Sequence, residues 1–234
     1  MYTITKKLSV LIISATALTA NYVLADQSVV DNIEIASQHN NVEKLTELTE
    51  SSQGFDKALA SYRLAIAKNI TGNINEALLL LDNAESILSS EAQSLDKSEV
   101  NALLAQIYGY RIAIKPISGF HYGIKSSNAL KTAFEINQSN PRAHLIKGIS
   151  AYNTPALFGG SKQQALNALN TSIKYFQMDN NSGYQWGQAE AYVWRGLTHL
   201  ALNDTQNALK DWHKSLELEP NYAWAQMLIN SNQG

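Results

Sequence analysis

The chain has no cysteine. That excludes disulfide staples, thiolate zinc sites, cysteine nucleophiles and a lipid-modified N-terminal cysteine. Charge is sparse as well: 16% of the 234 residues are Asp, Glu, Lys or Arg, against about a quarter in an ordinary globular protein. With 45% of residues hydrophobic, chain-wide disorder is excluded, because disordered chains are charge-rich and apolar-poor. There is no basic excess either. The formal net charge is −2, which offers nothing to grip a nucleic-acid backbone. Four prolines and twelve glycines are too few for a many-turned β fold and favour long helices.

The first segment reads as an address. Lys6 and Lys7 open it, Leu8 to Leu18 is uncharged and mostly apolar, and Val23-Leu24-Ala25 places small or β-branched residues where a signal peptidase inspects them. The apolar core is shorter than the about 20 residues of a membrane span. Residues 1–25 are therefore expected to be a cleaved signal peptide, with Asp26 the mature N-terminus and a periplasmic or otherwise exported location. The chain from Asp26 on then has 16 basic and 20 acidic residues, a net of −4.

The body is repetitive. Ala58 to Glu91 and Ala189 to Tyr222 are both windows of 34 residues. Ala65 and Gly196 share the eighth place, Ala77 and Ala208 the twentieth, and Leu81 matches Trp212. Small residues recur where the two helices of a hairpin cross, and a large one four places on fills the neighbouring gap. Between these windows the spacing predicts further helices: one over Glu99 to Lys115, one after Ser126 and Ser127 as caps, one opened by Pro141, and one starting near Ser161. An imperfect unit over 28–53 precedes them, and a closing helix over 222–230 ends the chain. The expected fold is all-α: a single domain, 26–234, of antiparallel helical hairpins stacked into a right-handed superhelical solenoid, with repeats near 58–91, 95–138, 141–177 and 189–222. No hairpin can bury its apolar face alone, so stacking is obligatory.

Gly196, Ala208, Trp212 and Pro220 resemble the signature W-x2-L-G-x2-Y, A-x3-F, P of tetratricopeptide repeats. Tyr192, Arg195 and His199 stand where the signature has Trp, Leu and Tyr. Asn140-Pro-Arg-Ala143, Tyr152 to Gly160 and Trp186-Gly187 resemble a set of exported bacterial tetratricopeptide-repeat proteins, mostly without assigned activity. The resemblance implies a concave wall lined by first-helix residues. Transferred onto this sequence, that wall includes Tyr62, Gln106, Tyr110, Arg142 and Ile149, and it implies an extended peptide or protein as partner.

No catalytic constellation accompanies this fold. Gly119, Gly123, Lys125 and Ser126 approach a phosphate loop, but the glycines are four apart and no strand precedes them. The five histidines contain no i,i+4 pair. No G-x-S-x-G elbow occurs, and Ser118 and His121 merely share a loop. No enzyme activity, metal or cofactor is expected. Two long connections stand out, Pro116 to Lys125 and Asn153 to Ser161, both inside hairpins and so on one edge of a solenoid. They would gather Phe120, His121, Tyr122, Tyr152 and Phe158, as an aromatic recognition edge or as small satellite cores. Two readings follow: a non-catalytic periplasmic scaffold holding a peptide or protein in its concave face, or a small-ligand binding subunit whose aromatic edge closes over a solute.

Overall fold

The computed structural model describes residues 25–90, 96–180 and 183–233; the signal-peptide expectation for 1–24 lies outside them. The described residues form eleven α-helices and two short 3-10 turns. The helices pair as hairpins: α1 (Gln27–Gln38) with α2 (Val42–Ser51), α3 (Gly54–Ile70) with α4 (Ile74–Ser90), α5 (Lys97–Ile114) with α6 (Gly119–Ile136), α7 (Pro141–Asn153) with α8 (Lys162–Phe176), and α9 (Gln188–Ala201) with α10 (Thr205–Leu218). α11 (Ala223–Asn232) closes the stack against α10. First helices pack on first helices, α1 on α3, α5 on α7 and α7 on α9, so the molecule is a solenoid of stacked hairpins. None of the described helices is long and apolar enough to cross a membrane.

Local chemistry sets the boundaries. Asp26, Asn41, Asp96, Asn140, Ser161 and Asp204 each cap a helix by accepting from a backbone N–H two or three residues on. Pro141 follows its cap at the first helical position, where its missing N–H has no cost. Three hairpins turn through one left-handed residue, Asn40, Gly72 or Asn203, residue types that tolerate that backbone. The α5–α6 and α7–α8 hairpins turn instead through 3-10 turns at Pro116–Ser118 and Ala156–Phe158.

One boundary differs from the sequence reading. α6 starts at Gly119, so Ser126 and Ser127 lie inside it and cap nothing. The 3-10 turn after Pro116 runs straight into the helix. Tyr122 then gains a stack on Tyr108, with ring centroids 5.8 Å apart, and Ser126 spends its hydroxyl on the Ala105 carbonyl at 2.9 Å.

The small residues do what their spacing implies. A Cβ built on Gly196 would lie 2.3 Å from Trp212 Nε1, and one on Gly148 2.6 Å from Leu169 Cγ. Trp212 is fully buried and donates to the Val193 carbonyl at 3.2 Å. Gly196→Ala therefore forces Trp212 off its site. The overpacking costs about 1–3 kcal/mol, outweighing the roughly 1 kcal/mol alanine gains in helix propensity. Urea denaturation should show a lower midpoint at unchanged slope; an equal or higher midpoint would mean that Trp212 yields without cost.

Candidate functional site

The first helices place an inner column of side chains along the solenoid, and this column holds most of the residues expected on a concave wall. It is not an open wall. Tyr62, Gln106 and Arg142 are only 2%, 6% and 1% exposed, which corrects the expectation that they face solvent. Tyr110 is half-buried: it meets Tyr62 edge-on at 6.0 Å, and its hydroxyl accepts from Asn69 at 3.0 Å. Ile149 is half-buried against the apolar cluster that includes Leu145, Leu169 and Tyr192.

The physical reason is a pair of buried ionic hubs. Arg63 on α3 holds Glu34 of α1 through Nε and Nη2 at 2.8 and 2.9 Å, and Glu190 of α9 at 3.0 Å. Glu190 also accepts from Gln106 on α5 at 3.2 Å and from Trp194 at 3.3 Å. Three first helices thus meet at one guanidinium and a fourth, α5, joins through Glu190, so the superhelix is tied across from α1 to α9. Burial raises the Glu34 carboxyl above its ordinary range and pushes the Tyr62 hydroxyl up. In the second hub Arg142 pairs with Glu99 at 2.6 Å and Asp179 at 2.7 Å. Asn140 adds a bond to the same Glu99 at 2.8 Å while capping α7.

The segment joining α8 to α9 fills what remains of the groove. Tyr184 and Trp186 are buried, Tyr184 edge-on to Phe55 at 4.9 Å and Trp186 under the Arg63 guanidinium at 5.8 Å. Gln27 of α1 grips this segment, accepting from the Gly183 and Gln185 N–H groups and donating to the Gln185 carbonyl. Beside it a cleft of about 470 Å³ is lined by Glu34, Arg63, Trp186, Glu190, Glu219 and Tyr222 among others. Its floor is the Arg63 hub, in which one guanidinium faces two carboxylates.

The turn edge is different. Ile117, Phe120, Leu157 and Phe158 are 88%, 86%, 88% and 75% exposed. Among the described residues fourteen large apolar side chains are exposed, and seven of them adjoin turns within hairpins: Ile70, Ile74, Ile117, Phe120, Leu157, Phe158 and Leu202. His121 is exposed beside Phe120. Tyr122 and Tyr152 turn inward instead. Tyr122 lies between Tyr108 and the Arg111 guanidinium, and Tyr152 is edge-on to Trp194 at 5.6 Å with the Lys162 ammonium over its ring. The five edge residues thus divide: Phe120, His121 and Phe158 face water, while Tyr122 and Tyr152 form satellite cores.

The edge lies in a basic stretch. Residues 100–178 carry eight Lys or Arg and a single acid, Glu135, a formal +7. The rest of the chain from Asp26 on has eight against nineteen, −11. Lys115 and Lys147 are exposed and form no salt bridge among the described residues.

The remaining motifs are structural. Gly119 to Ser126 is helical, and Lys125 binds Glu85 at 2.8 Å. His144 packs between Phe134 and Tyr175, and burial lowers its pKa. Among the described residues no three His, Asp or Glu converge as a metal site.

An all-helical stack of hairpins with buried crossings and an apolar turn edge defines a helical-repeat protein. The repeat is specific: residues 189–222 match the tetratricopeptide repeat, so the chain carries at least one such repeat within its stack of hairpins. It is similar to the HusA haemophore from Porphyromonas gingivalis, with 27% identity over 74% of this chain and 89% of that one and a TM-score of 0.55. It shares its fold with TTC0263, a thermophilic tetratricopeptide-repeat protein of Thermus thermophilus, at 20% identity, 88% and 95% coverage and a TM-score of 0.53. No curated protein sequence matches the chain.

Proposed function

We propose that the chain is exported after cleavage behind Ala25 and works there as a non-catalytic scaffold that captures a protein partner along its turn edge. One observation carries the reading: the bulky apolar side chains of this edge stand in water, while the groups of the concave column are buried and paired. Exposed apolar clusters of this kind mark interaction sites, and aromatic anchors dominate their energetics. Lys115 beside this edge, exposed and in no salt bridge among the described residues, favours a partner whose apolar patch is rimmed by Asp and Glu.

The test is capture from a periplasmic extract with purified protein as bait, read by mass spectrometry. Phe120→Ser with Phe158→Ser should leave the melting midpoint unchanged and weaken capture at least tenfold, about 1.4 kcal/mol. Undiminished capture removes the edge from the reading.

The likeness to a haemophore favours a second reading in which the edge takes a flat apolar ligand of the haem class. Phe120 and Phe158 would cover its faces, the lysines would meet its carboxylates, and His121 would offer an imidazole. Haemin titration followed at the Soret band, with His121→Ala alongside, separates the two. Saturable binding that His121→Ala disrupts favours the ligand; no spectral change leaves the protein partner.

A further inference from the structure

We propose that Asp56 is the receiving site for the α-ammonium group created when the leader is removed, so that processing turns a backbone hydrogen bond into a buried ion pair that locks α1 onto α3. The inference rests on cleavage behind Ala25.

The geometry is specific. The Asp26 backbone nitrogen lies 3.0 Å from Asp56 Oδ2. Asp56 sits in the first turn of α3 and is only 5% exposed. Its other oxygen, Oδ1, has no hydrogen-bond partner among the described residues, and no cation there pairs with it. A buried carboxylate left so is costly, and burial accordingly pushes its pKa up to about 6. The Asp26 side chain does not compete for the site, because its Oδ1 accepts from the Ser28 N–H at 2.9 Å and the Ser28 hydroxyl at 2.8 Å as the cap of α1.

Cleavage behind Ala25 changes the donor at Asp56 and removes Ala25 from its place against the core and Gly183. The amide offers one proton and no charge. The ammonium offers three protons and a full positive charge, with an ordinary pKa near 8. One proton keeps the bond to Oδ2 and another is free for Oδ1. Ala25 lies against Gly183, its carbonyl oxygen 2.4 Å from the position a Cβ would take there. An uncleaved or misprocessed chain therefore keeps a neutral donor in a tight passage, with Asp56 unneutralised. The lock distinguishes mature protein from precursor by one covalent bond.

The test compares two chains released from fusions, one beginning at Asp26 and one keeping Ala25, each with and without Asp56→Asn. The chain beginning at Asp26 should melt higher, by on the order of 5 °C. Asp56→Asn should erase the difference, lowering the midpoint of the first chain and raising that of the second. Equal midpoints for the two wild-type chains overturn the proposal. Should Asp56→Asn fail to fold, amine acylation decides: the Asp26 α-amine should react at least tenfold more slowly in native than in unfolded protein, and equal rates overturn the lock. N-terminal sequencing of exported protein is a separate reading. A start other than Asp26 would refute the cleavage site without altering what the two chains show about Asp56.

Discussion

Arg63→Ala should cost about 3–5 kcal/mol, the penalty for breaking a buried ion pair by removing one partner. That is a large fraction of the 5–15 kcal/mol by which a domain is stable. Two carboxylates lose their counter-charge at once. Glu34, whose pKa burial already raises, and Glu190 are 14% and 9% exposed at the side chain, so neither can turn to water without opening the column. Arg63→Lys should recover only part of the loss, since an ammonium cannot bridge Glu34 through two parallel bonds and reach Glu190 as well. The damage should also be localised. α1 and the 183–190 segment meet through this residue and through Gln27, so their amides should exchange faster with deuterated solvent while α5–α6 stays protected. Chemical denaturation and hydrogen exchange measure both effects. An unchanged midpoint, or exchange that rises evenly along the chain, would show that the hub does not close the superhelix.

The hairpins were legible because their signals are local. Gly196 with Trp212, Pro141 behind Asn140, and the alanines of α3 and α4 each report contacts made within one window of sequence. The burial of Arg63 has a local signal, one that the expectation of Tyr62 on a concave wall passed over. From Ala58 to Ala67 only Ser61, Tyr62 and Arg63 carry polar atoms. A helix apolar all round is a buried helix, and an arginine inside one has to be paired. The partner was not legible: Glu190 lies 127 positions away, and no periodicity links the two. The same holds for Tyr184 and Trp186, which look like loop aromatics until the stack curls round and sets them against Phe55 and Arg63. At the turn edge the residue types gave the location but not the direction of each ring. Tyr122 and Tyr152 carry a hydroxyl and an aromatic face that find Arg111 and Lys162 inward, whereas Phe120 and Phe158 have nothing comparable to draw them in.

Arg142→Ala should destabilise by a similar amount, about 3–5 kcal/mol, and its cost should depend on pH. The triple alanine variant of Tyr62, Tyr110 and Arg142 that a solvent-facing wall would tolerate is thus expected to unfold readily. Arg142 sits between Glu99 and Asp179, and Glu99 is 1% exposed. Burial pushes the Glu99 carboxyl up to about 6 from an ordinary 4.5, with Arg142 opposing the rise. A carboxyl whose pKa rises on folding favours the fold in its protonated form. That contribution is full below the unfolded value and is lost as the pH climbs through the folded one. Without Arg142 the folded value moves higher still, so Glu99 is protonated over a wider range. The variant's deficit against the wild type should therefore be greatest near pH 8 and shrink toward pH 5. Glu99→Gln in the Arg142→Ala background should return much of the lost stability and flatten the pH profile, because an amide needs no counter-charge. Urea midpoints of the wild type, Arg142→Ala and the double variant at the two pH values measure this. A deficit of equal size at both would assign the loss to packing against Phe176, over which the Arg142 guanidinium lies at 5.6 Å, and would refute the ionic role of the hub.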